Sequence, residues 1–154
     1  QEARDRILSA IQTAQKEGCE VLCGGGVPEA ESLSRGSYIQ PAVIGNVEPT
    51  SFIAREEVFG PVLAIQTARD ADHALALANG TRYGLAAALW TSDLTTAGRL
   101  ARRLRAGTVW VNSFDRSSMA TPFGGMKESG HGRDRSLHAL DAYGQLKTTW
   151  IHLG

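Results

Sequence analysis

The feature that most constrains the fold is an alternation of strand-like and helix-like segments between Pro61 and Val111. Residues 85–90 are continuously apolar, which is typical of a strand buried on both faces of a parallel sheet. Asp70 suits the N-cap of a helix that Asn79-Gly80 would end. Strands and helices therefore alternate over residues 61–67, 70–78, 85–90, 93–105 and 108–111. This order predicts a doubly wound α/β domain, a parallel sheet with flanking helices.

Segments on either side extend this pattern. An apolar stripe with helical spacing opens the chain and should end at Gly18; it is formed by Ala3, Ile7, Leu8, Ile11 and Ala14. We further expect strands at residues 20–23 and 38–44, a helix at 134–143 and an alternating strand from Leu146 to Leu153. These predict a domain over residues 1–144 with a tail at 145–154. Because residue 1 is Gln and a helical pattern is already running there, we expect a piece of a longer protein.

The charge balance argues against a nucleic-acid or membrane partner. Lys plus Arg and Asp plus Glu each number 16, so the formal net charge is zero. A solvated helix face explains the basic cluster Arg99, Arg102, Arg103 and Arg105 better than a nucleic-acid footprint, which usually needs a basic excess. No apolar run approaches the roughly 20 residues that span a bilayer, and no signal peptide precedes the first helix. The sequence therefore predicts a cytoplasmic protein.

The two cysteines, Cys19 and Cys23, are too few for a zinc-finger pattern, and the four histidines are scattered without ligand spacing. We interpret both as buried or half-buried thiols of a short buried strand, and expect no metal site. The glycines at 24–26 lack the Lys-Ser/Thr that follows a phosphate-binding loop, so a plain loop is favoured.

A Gly- and Ser-rich stretch over residues 112–133 is too long for a simple connection. Loops of such length in compact domains are usually functional. It is the first place where the sequence predicts a site.

Three ordered motifs carry a family resemblance. They are Glu56-Glu57-Val58-Phe59-Gly60-Pro61-Val62; then Tyr83-Gly84-Leu85-Ala86-Ala87 with Gly107-Thr108-Val109-Trp110-Val111-Asn112; and Pro122-Phe123-Gly124-Gly125-Met126-Lys127-Glu128-Ser129-Gly130. Together they resemble the NAD(P)-dependent aldehyde dehydrogenase superfamily, over the C-terminal part of its catalytic domain. The endings at residues 132–140 and 146–151 are similar to the gamma-glutamyl-gamma-aminobutyraldehyde dehydrogenases of putrescine breakdown.

The resemblance implies oxidation of an aldehyde through a cysteine thioester, with hydride passed to the nicotinamide. In the family the nucleophile, the base glutamate, the oxyanion asparagine and the cofactor domain all precede the first motif. Cys19 and Cys23 lack the nucleophile's motif context and are rejected as catalytic. The resemblance therefore implies a chain without catalytic residues, inactive alone and binding NAD or NADP weakly or not at all.

The same resemblance assigns cofactor contacts to the first motif. Glu57 matches a carboxylate that accepts hydrogen bonds from the nicotinamide ribose hydroxyls. Phe59 matches an aromatic residue that limits the mobility of the nicotinamide, while Glu56 is interpreted as a surface charge.

The long loop resembles the family's substrate entrance over residues 113–121. Asp115 and Ser117 would face the substrate tunnel, and Phe123 would lie near the reacting centre. A polar loop suits a polar small-molecule aldehyde, although an ordinary solvated loop explains it almost as well. Lys127, Gly124 and Gly125 are interpreted as structural.

The tail implies a homo-oligomer, dimer or tetramer, because the strand from Leu146 to Leu153 extends a neighbour's sheet in the family. Here Gln145 replaces a glutamate that pairs in relatives with the arginine matching Arg133, so the charge-assisted part of that bond is lost. Two alternatives stay open: a non-catalytic interaction module that pairs through this strand, and an unrelated α/β binding domain.

Overall fold

The computed structural model of the chain describes residues 1–33 and 35–154. Its backbone contacts divide it into two compact units, Gln1–Thr81 and Arg82–Gly154. The longest helix in the described part has 15 residues, and no helix there combines the length and the apolar character needed to cross a bilayer. Each unit is described in turn.

In its described residues the first unit contains three α-helices, a short 3-10 helix over Glu31–Leu33 and a three-stranded sheet. In chain order its elements are α1 (Glu2–Lys16), β1 (Glu20–Cys23), β2 (Ala42–Gly45), α2 (Phe52–Arg55), β3 (Val62–Ala64) and α3 (Ala71–Asn79). Strand β2 is central, antiparallel to β1 and parallel to β3. The predicted strands at 20–23, 38–44 and 61–67 are thus present, the last two in shorter form. The antiparallel β1–β2 pairing was not predicted.

The core of this unit lies between α1 and the sheet. The apolar stripe of α1 supplies Ile7, Ile11 and Ala14, and β2 supplies Ala42 and Ile44 to the same buried cluster. The repeat predicted from sequence is therefore the core-facing side of the helix. Gly18 ends α1 as expected, since its φ of +91° is a conformation that glycine adopts readily.

Helix α2 was not predicted because its N-terminus is capped from a distant part of the chain. The Glu17 carboxylate accepts a hydrogen bond from the Phe52 N–H at 2.7 Å. Ser51, the preceding residue, is buried, and its hydroxyl lies 3.6 Å from the Cys19 sulfur. A carboxylate beside the first turn satisfies backbone donors that would otherwise be unpaired.

The second unit begins with a strand, a helix and a strand: β4 (Ala86–Leu89), α4 (Leu94–Arg103) and β5 (Thr108–Val111). The two strands are parallel, so the unit is the βαβ arrangement that the sequence predicts. Asp93 caps α4 by accepting from the Thr95 and Thr96 N–H groups, each at 3.0 Å.

The α/β class is confirmed, but three local predictions differ from the structure. Strand β4 is half-buried to exposed rather than buried on both faces. Strand β1 is mostly exposed, and so is the Cys23 thiol, whereas Cys19, which precedes the strand, is buried as predicted. Residues predicted as a helix at 134–143 form a 3-10 helix over Leu137–Tyr143. The predicted tail strand from Leu146 to Leu153 stays a prediction: these residues carry no secondary structure in the single chain, and a strand needs a partner to complete its hydrogen bonds.

Candidate functional site

The first predicted site residues lie on an exposed turn between α2 and β3. Phe59 has φ of +51° and is 78% exposed. It lines a cavity of about 240 Å³ together with Glu57, Val58 and Gly60. A large aromatic ring turned towards solvent in a left-handed conformation costs free energy, and such residues concentrate at ligand sites. The Glu57 side chain is also exposed.

Arg6 of α1 holds this turn in place, and sequence reasoning missed it. Its guanidinium donates to the Val58 carbonyl at 2.5 Å and to the Phe59 carbonyl at 3.4 Å. Gly60 lets α1 approach, since a Cβ there would lie 2.5 Å from Cδ1 of Ile7. The partners are more than 50 residues apart, so no local pattern signals this contact.

A second group of predicted residues lies in the other unit. Ser117 and Phe123 line one cavity of about 320 Å³, which Trp110, Arg116 and Arg135 also border. Asp115, predicted beside them, is exposed and lies outside that lining. The structure therefore brings two of the three predicted pocket residues together. The two arginines were not singled out from sequence.

Backbone hydrogen bonds fix the shape of this cavity. Phe123 and Asp134 form an isolated antiparallel bridge, with N···O distances of 2.8 and 2.7 Å in the two directions. The Ser136 N–H donates to the Met119 carbonyl at 2.8 Å, which ties the loop at 113–121 to the segment after the bridge. The long loop predicted at 112–133 is therefore ordered by contacts with the following residues.

The glycines predicted as structural permit close backbone packing beneath the cavity. A Cβ on Gly125 would lie 2.5 Å from the Ser129 carbonyl oxygen, and one on Gly124 would lie 2.6 Å from the Gly132 carbonyl oxygen. The Arg133 guanidinium donates to the Gly125 carbonyl at 2.8 Å and to the Gly132 carbonyl. It makes no hydrogen bond to Gln145 in the described part of the chain, so the weakened pairing considered from sequence is replaced by carbonyl contacts.

Lys127 stands in this packed region with φ of +56°. Desolvation lowers the pKa of its ammonium group, and the positive charge of Arg105 lowers it further.

Across residues 1–33 and 35–154, no three His, Cys, Asp or Glu side chains are grouped so as to hold a metal ion. The chemistry available at both cavities is thus that of carboxylate, guanidinium, hydroxyl and aromatic groups.

Comparison with known proteins connects these surfaces to a family. A model described as the aldehyde dehydrogenase family matches residues 1–149. A betaine aldehyde dehydrogenase of Brucella melitensis is 41% identical over 151 residues, 98% of this chain and 31% of that protein. Its counterpart in Brucella ovis is 40% identical over the same shares. The chain thus spans about a third of the length of the curated relatives it matches.

Solved structures show the same relationship. A betaine aldehyde dehydrogenase of Staphylococcus aureus in complex with NAD+ matches with a TM-score of 0.90 and 38% identity, over 92% of this chain and 28% of that one. An indole-3-acetaldehyde dehydrogenase complexed with NAD+ matches with a TM-score of 0.89 and 45% identity, over 99% of this chain and 30% of that one. None of these four names is that of the gamma-glutamyl subgroup, which stays a prediction.

Proposed function

The chain belongs to the aldehyde dehydrogenase family, and from that membership we propose that the whole protein oxidises a polar aldehyde to the carboxylate with NAD. The observation that carries the proposal is the exposed turn of Glu57 and Phe59 inside a family match over residues 1–149. Membership also removes the alternative of an unrelated α/β binding domain. The polar aldehydes considered are gamma-glutamyl-gamma-aminobutyraldehyde, from the ending of the sequence, and betaine aldehyde, from the names of the relatives.

The first unit positions the cofactor in this proposal. The Glu57 carboxylate accepts hydrogen bonds from two vicinal ribose hydroxyls, which a carboxylate does well because each oxygen has its own lone pairs. The Phe59 ring supplies a flat apolar surface for the nicotinamide. When bound, NAD provides the hydride acceptor. The two NAD+ complexes among similar structures favour NAD over NADP.

The turn suits this role because it is held before any ligand arrives. Arg6 fixes the carbonyls of Val58 and Phe59, so Phe59 keeps its exposed position without a large entropic cost on binding. In the second unit, Ser117 and Phe123 would contact the aldehyde, and Asp115 would lie at the entrance. The nucleophilic cysteine and the general base are assigned to parts of the protein outside these 154 residues.

The proposal predicts that the purified 154-residue chain produces no NADH from aldehydes and binds NAD+ very weakly. NADH absorbance and NMR titration with NAD+ measure these two properties. Measurable aldehyde oxidation by the chain, free of contaminating enzyme, would contradict the assignment of all catalytic groups elsewhere.

A chimera tests the cofactor role directly. In it, this chain replaces the matching third of the Brucella melitensis betaine aldehyde dehydrogenase. We expect NAD-dependent aldehyde oxidation, with Glu57→Gln raising the KM for NAD+ about tenfold because the hydrogen bonds from the ribose hydroxyls lose their charge-assisted part. Glu29→Gln, an exposed carboxylate outside both cavities, serves as the matched control and should leave that KM unchanged. Equal KM values for the two variants would remove Glu57 from the cofactor site.

A second candidate, a non-catalytic interaction module, is favoured by the exposed tail. Leu146, Trp150, Ile151 and Leu153 are each more than three-quarters exposed. We propose that this segment pairs with a second copy, making the protein a homo-oligomer. Light scattering should report a dimer or tetramer that Ile151→Lys dissociates. If the chain stays monomeric at high concentration, this pairing is excluded. A defined dimer or tetramer favours the module, whereas a heterogeneous aggregate favours a domain that lacks its packing partners.

A further inference from the structure

The cavity of the second unit carries two guanidinium groups that the proposed chemistry does not use. Arg116 and Arg135 border the cavity that also contains Ser117 and Phe123. Neither guanidinium forms an ion pair in the described part of the chain. The nearby carboxylates are turned elsewhere: Asp134 accepts from the Arg135 backbone N–H at 2.8 Å, and Asp115 lies outside the lining.

The Arg135 guanidinium lies over the Phe123 ring, which lines the cavity. Its guanidinium carbon lies 5.2 Å from the centroid of the Phe123 ring, within the range of a cation–π interaction. The residue follows the Phe123–Asp134 bridge directly and has φ of +61°. Non-glycine residues rarely adopt this conformation, and they persist in it where the surroundings fix them. The backbone of Arg135 is therefore fixed beside the cavity, and its guanidinium lies over the Phe123 ring.

Arg116, which also lines the cavity, is fixed through its backbone. The Trp110 indole N–H donates to the Arg116 carbonyl at 2.6 Å. Trp110 belongs to β5, which is paired along its length with β4. The entrance loop is therefore anchored to the sheet at the residue that carries the second charge.

We propose that this cavity binds a carboxylate group of the aldehyde substrate, so that the aldehyde is anionic at the end remote from its carbonyl. This inference rests on the proposed function. The planar fork of a guanidinium matches two carboxylate oxygens, and the Ser117 hydroxyl offers a further donor. The Phe123 ring packs against the methylene chain between carboxylate and aldehyde. Two unpaired positive charges repel a quaternary ammonium group, so betaine aldehyde is disfavoured.

The binding step is tested on the chain itself, without NAD or activity. Glutarate serves as the anionic probe and glutaramide as its neutral equivalent, at constant ionic strength. The chain has three tryptophans, and the indole N–H signal of Trp110, assigned with Trp110→Phe, reports on the Arg116 carbonyl. We expect that signal to shift with glutarate and not with glutaramide. Arg135→Gln and Arg116→Gln should each weaken the response about tenfold, since each removes a charge-assisted contact.

Arg102→Gln is the matched control, because it removes the same charge from an exposed position on α4. An equal loss with this control, or an equal response to glutaramide, would overturn the carboxylate site. If the isolated chain gives no dispersed spectrum, the chimera with the Brucella melitensis enzyme provides the measurement. There kcat/KM for succinate semialdehyde should fall about tenfold relative to betaine aldehyde in Arg135→Gln.

Different results would disprove the carboxylate site and the proposed dehydrogenase function. A chimera that oxidises both aldehydes with an unchanged ratio in Arg135→Gln and Arg116→Gln disproves the carboxylate site and leaves the proposed dehydrogenase intact. A chain that binds glutarate through the two arginines, in a chimera that reduces no NAD+, supports the site and contradicts the proposed function.

Discussion

The two units of the chain bury apolar surface to very different extents. The first unit encloses a cluster in which Ala14 and Ile44 are fully buried and Ile7 and Ile11 are nearly so. In the second unit Ala97 is the one hydrophobic residue classed as buried among those described, and many large side chains are exposed, including Trp90, Leu94, Phe114, Met119, Leu137, Tyr143 and Trp150. The first unit is thus stabilised mainly by apolar burial, and the second by other means.

What holds the second unit is hydrogen bonding and close backbone packing. The Asn112 side chain makes two 2.9 Å bonds to the backbone of Thr91, joining the ends of β4 and β5. The Gly84 carbonyl accepts from the N–H groups of Gly107 and Met126. Directional contacts of this kind fix a shape at a modest net free energy each. The cavity of the first unit is therefore supported by a buried apolar core, and that of the second by hydrogen bonds and backbone packing.

The largest expected effect comes from a matched pair of isoleucines, one in each unit. Ile44→Ala removes a side chain with no exposed surface and should lower the free energy of unfolding by about 2–5 kcal/mol, the transfer and cavity cost of such truncations. Ile151→Ala, at a side chain 76% exposed, should change it by less than about 0.5 kcal/mol. Urea denaturation followed by circular dichroism measures both. Comparable losses would mean that the tail contributes a core of its own.

The parts of the fold that the sequence predicted well depend on residues close together in the chain. Asp70 caps α3 as expected, accepting from the His73 N–H at 2.7 Å, and the strand at 108–111 has the predicted bounds. Both depend on residues adjacent in sequence. By contrast α2 depends on Glu17, and the antiparallel β1–β2 pairing depends on register between distant segments. Interactions over such separations leave no periodic pattern to detect.

The residues of the candidate site also fall into those that the sequence predicted and those that depend on distant contacts. Glu57, Phe59 and Phe123 were predicted from ordered motifs and Ser117 from the long loop, and all four line the two cavities. Arg6 and Arg135 were not predicted. Arg6 donates from α1 to a carbonyl more than 50 residues later in the chain, and Arg135 stacks over a ring twelve positions earlier. The tail was predicted as a strand from its alternation, yet a strand also needs a partner.

An intermediate effect should follow from two glycines of the second unit. A Cβ on Gly107 would lie 1.7 Å from the Gly124 carbonyl oxygen, so Gly107→Ala forces the backbone apart and should cost about 1–3 kcal/mol. Gly98→Ala in α4 meets the Arg102 side chain at 3.5 Å, an ordinary contact, and should stabilise by about 0.5–1 kcal/mol. Amide hydrogen exchange measures the change in stability separately for each of the two units. If Gly107→Ala leaves exchange in β4 and β5 unaltered, backbone packing is not what holds this unit.

The smallest effect is the pH dependence of the α4 cap. The Thr96 hydroxyl lowers the pKa of Asp93 most, followed by the Thr96 and Thr95 N–H groups, from an ordinary value of 3.8. Because the pKa is lowered on folding, the stabilisation by the cap is complete above the unfolded value and is lost as the pH falls through the folded one. Amide NMR shifts of Thr95 and Thr96 should therefore titrate with a midpoint below 3.8. Asp93→Ala should abolish that titration, and Asp141→Ala, outside α4, should not. A midpoint at or above the ordinary value would show that the cap contributes nothing, leaving the second unit with backbone packing alone.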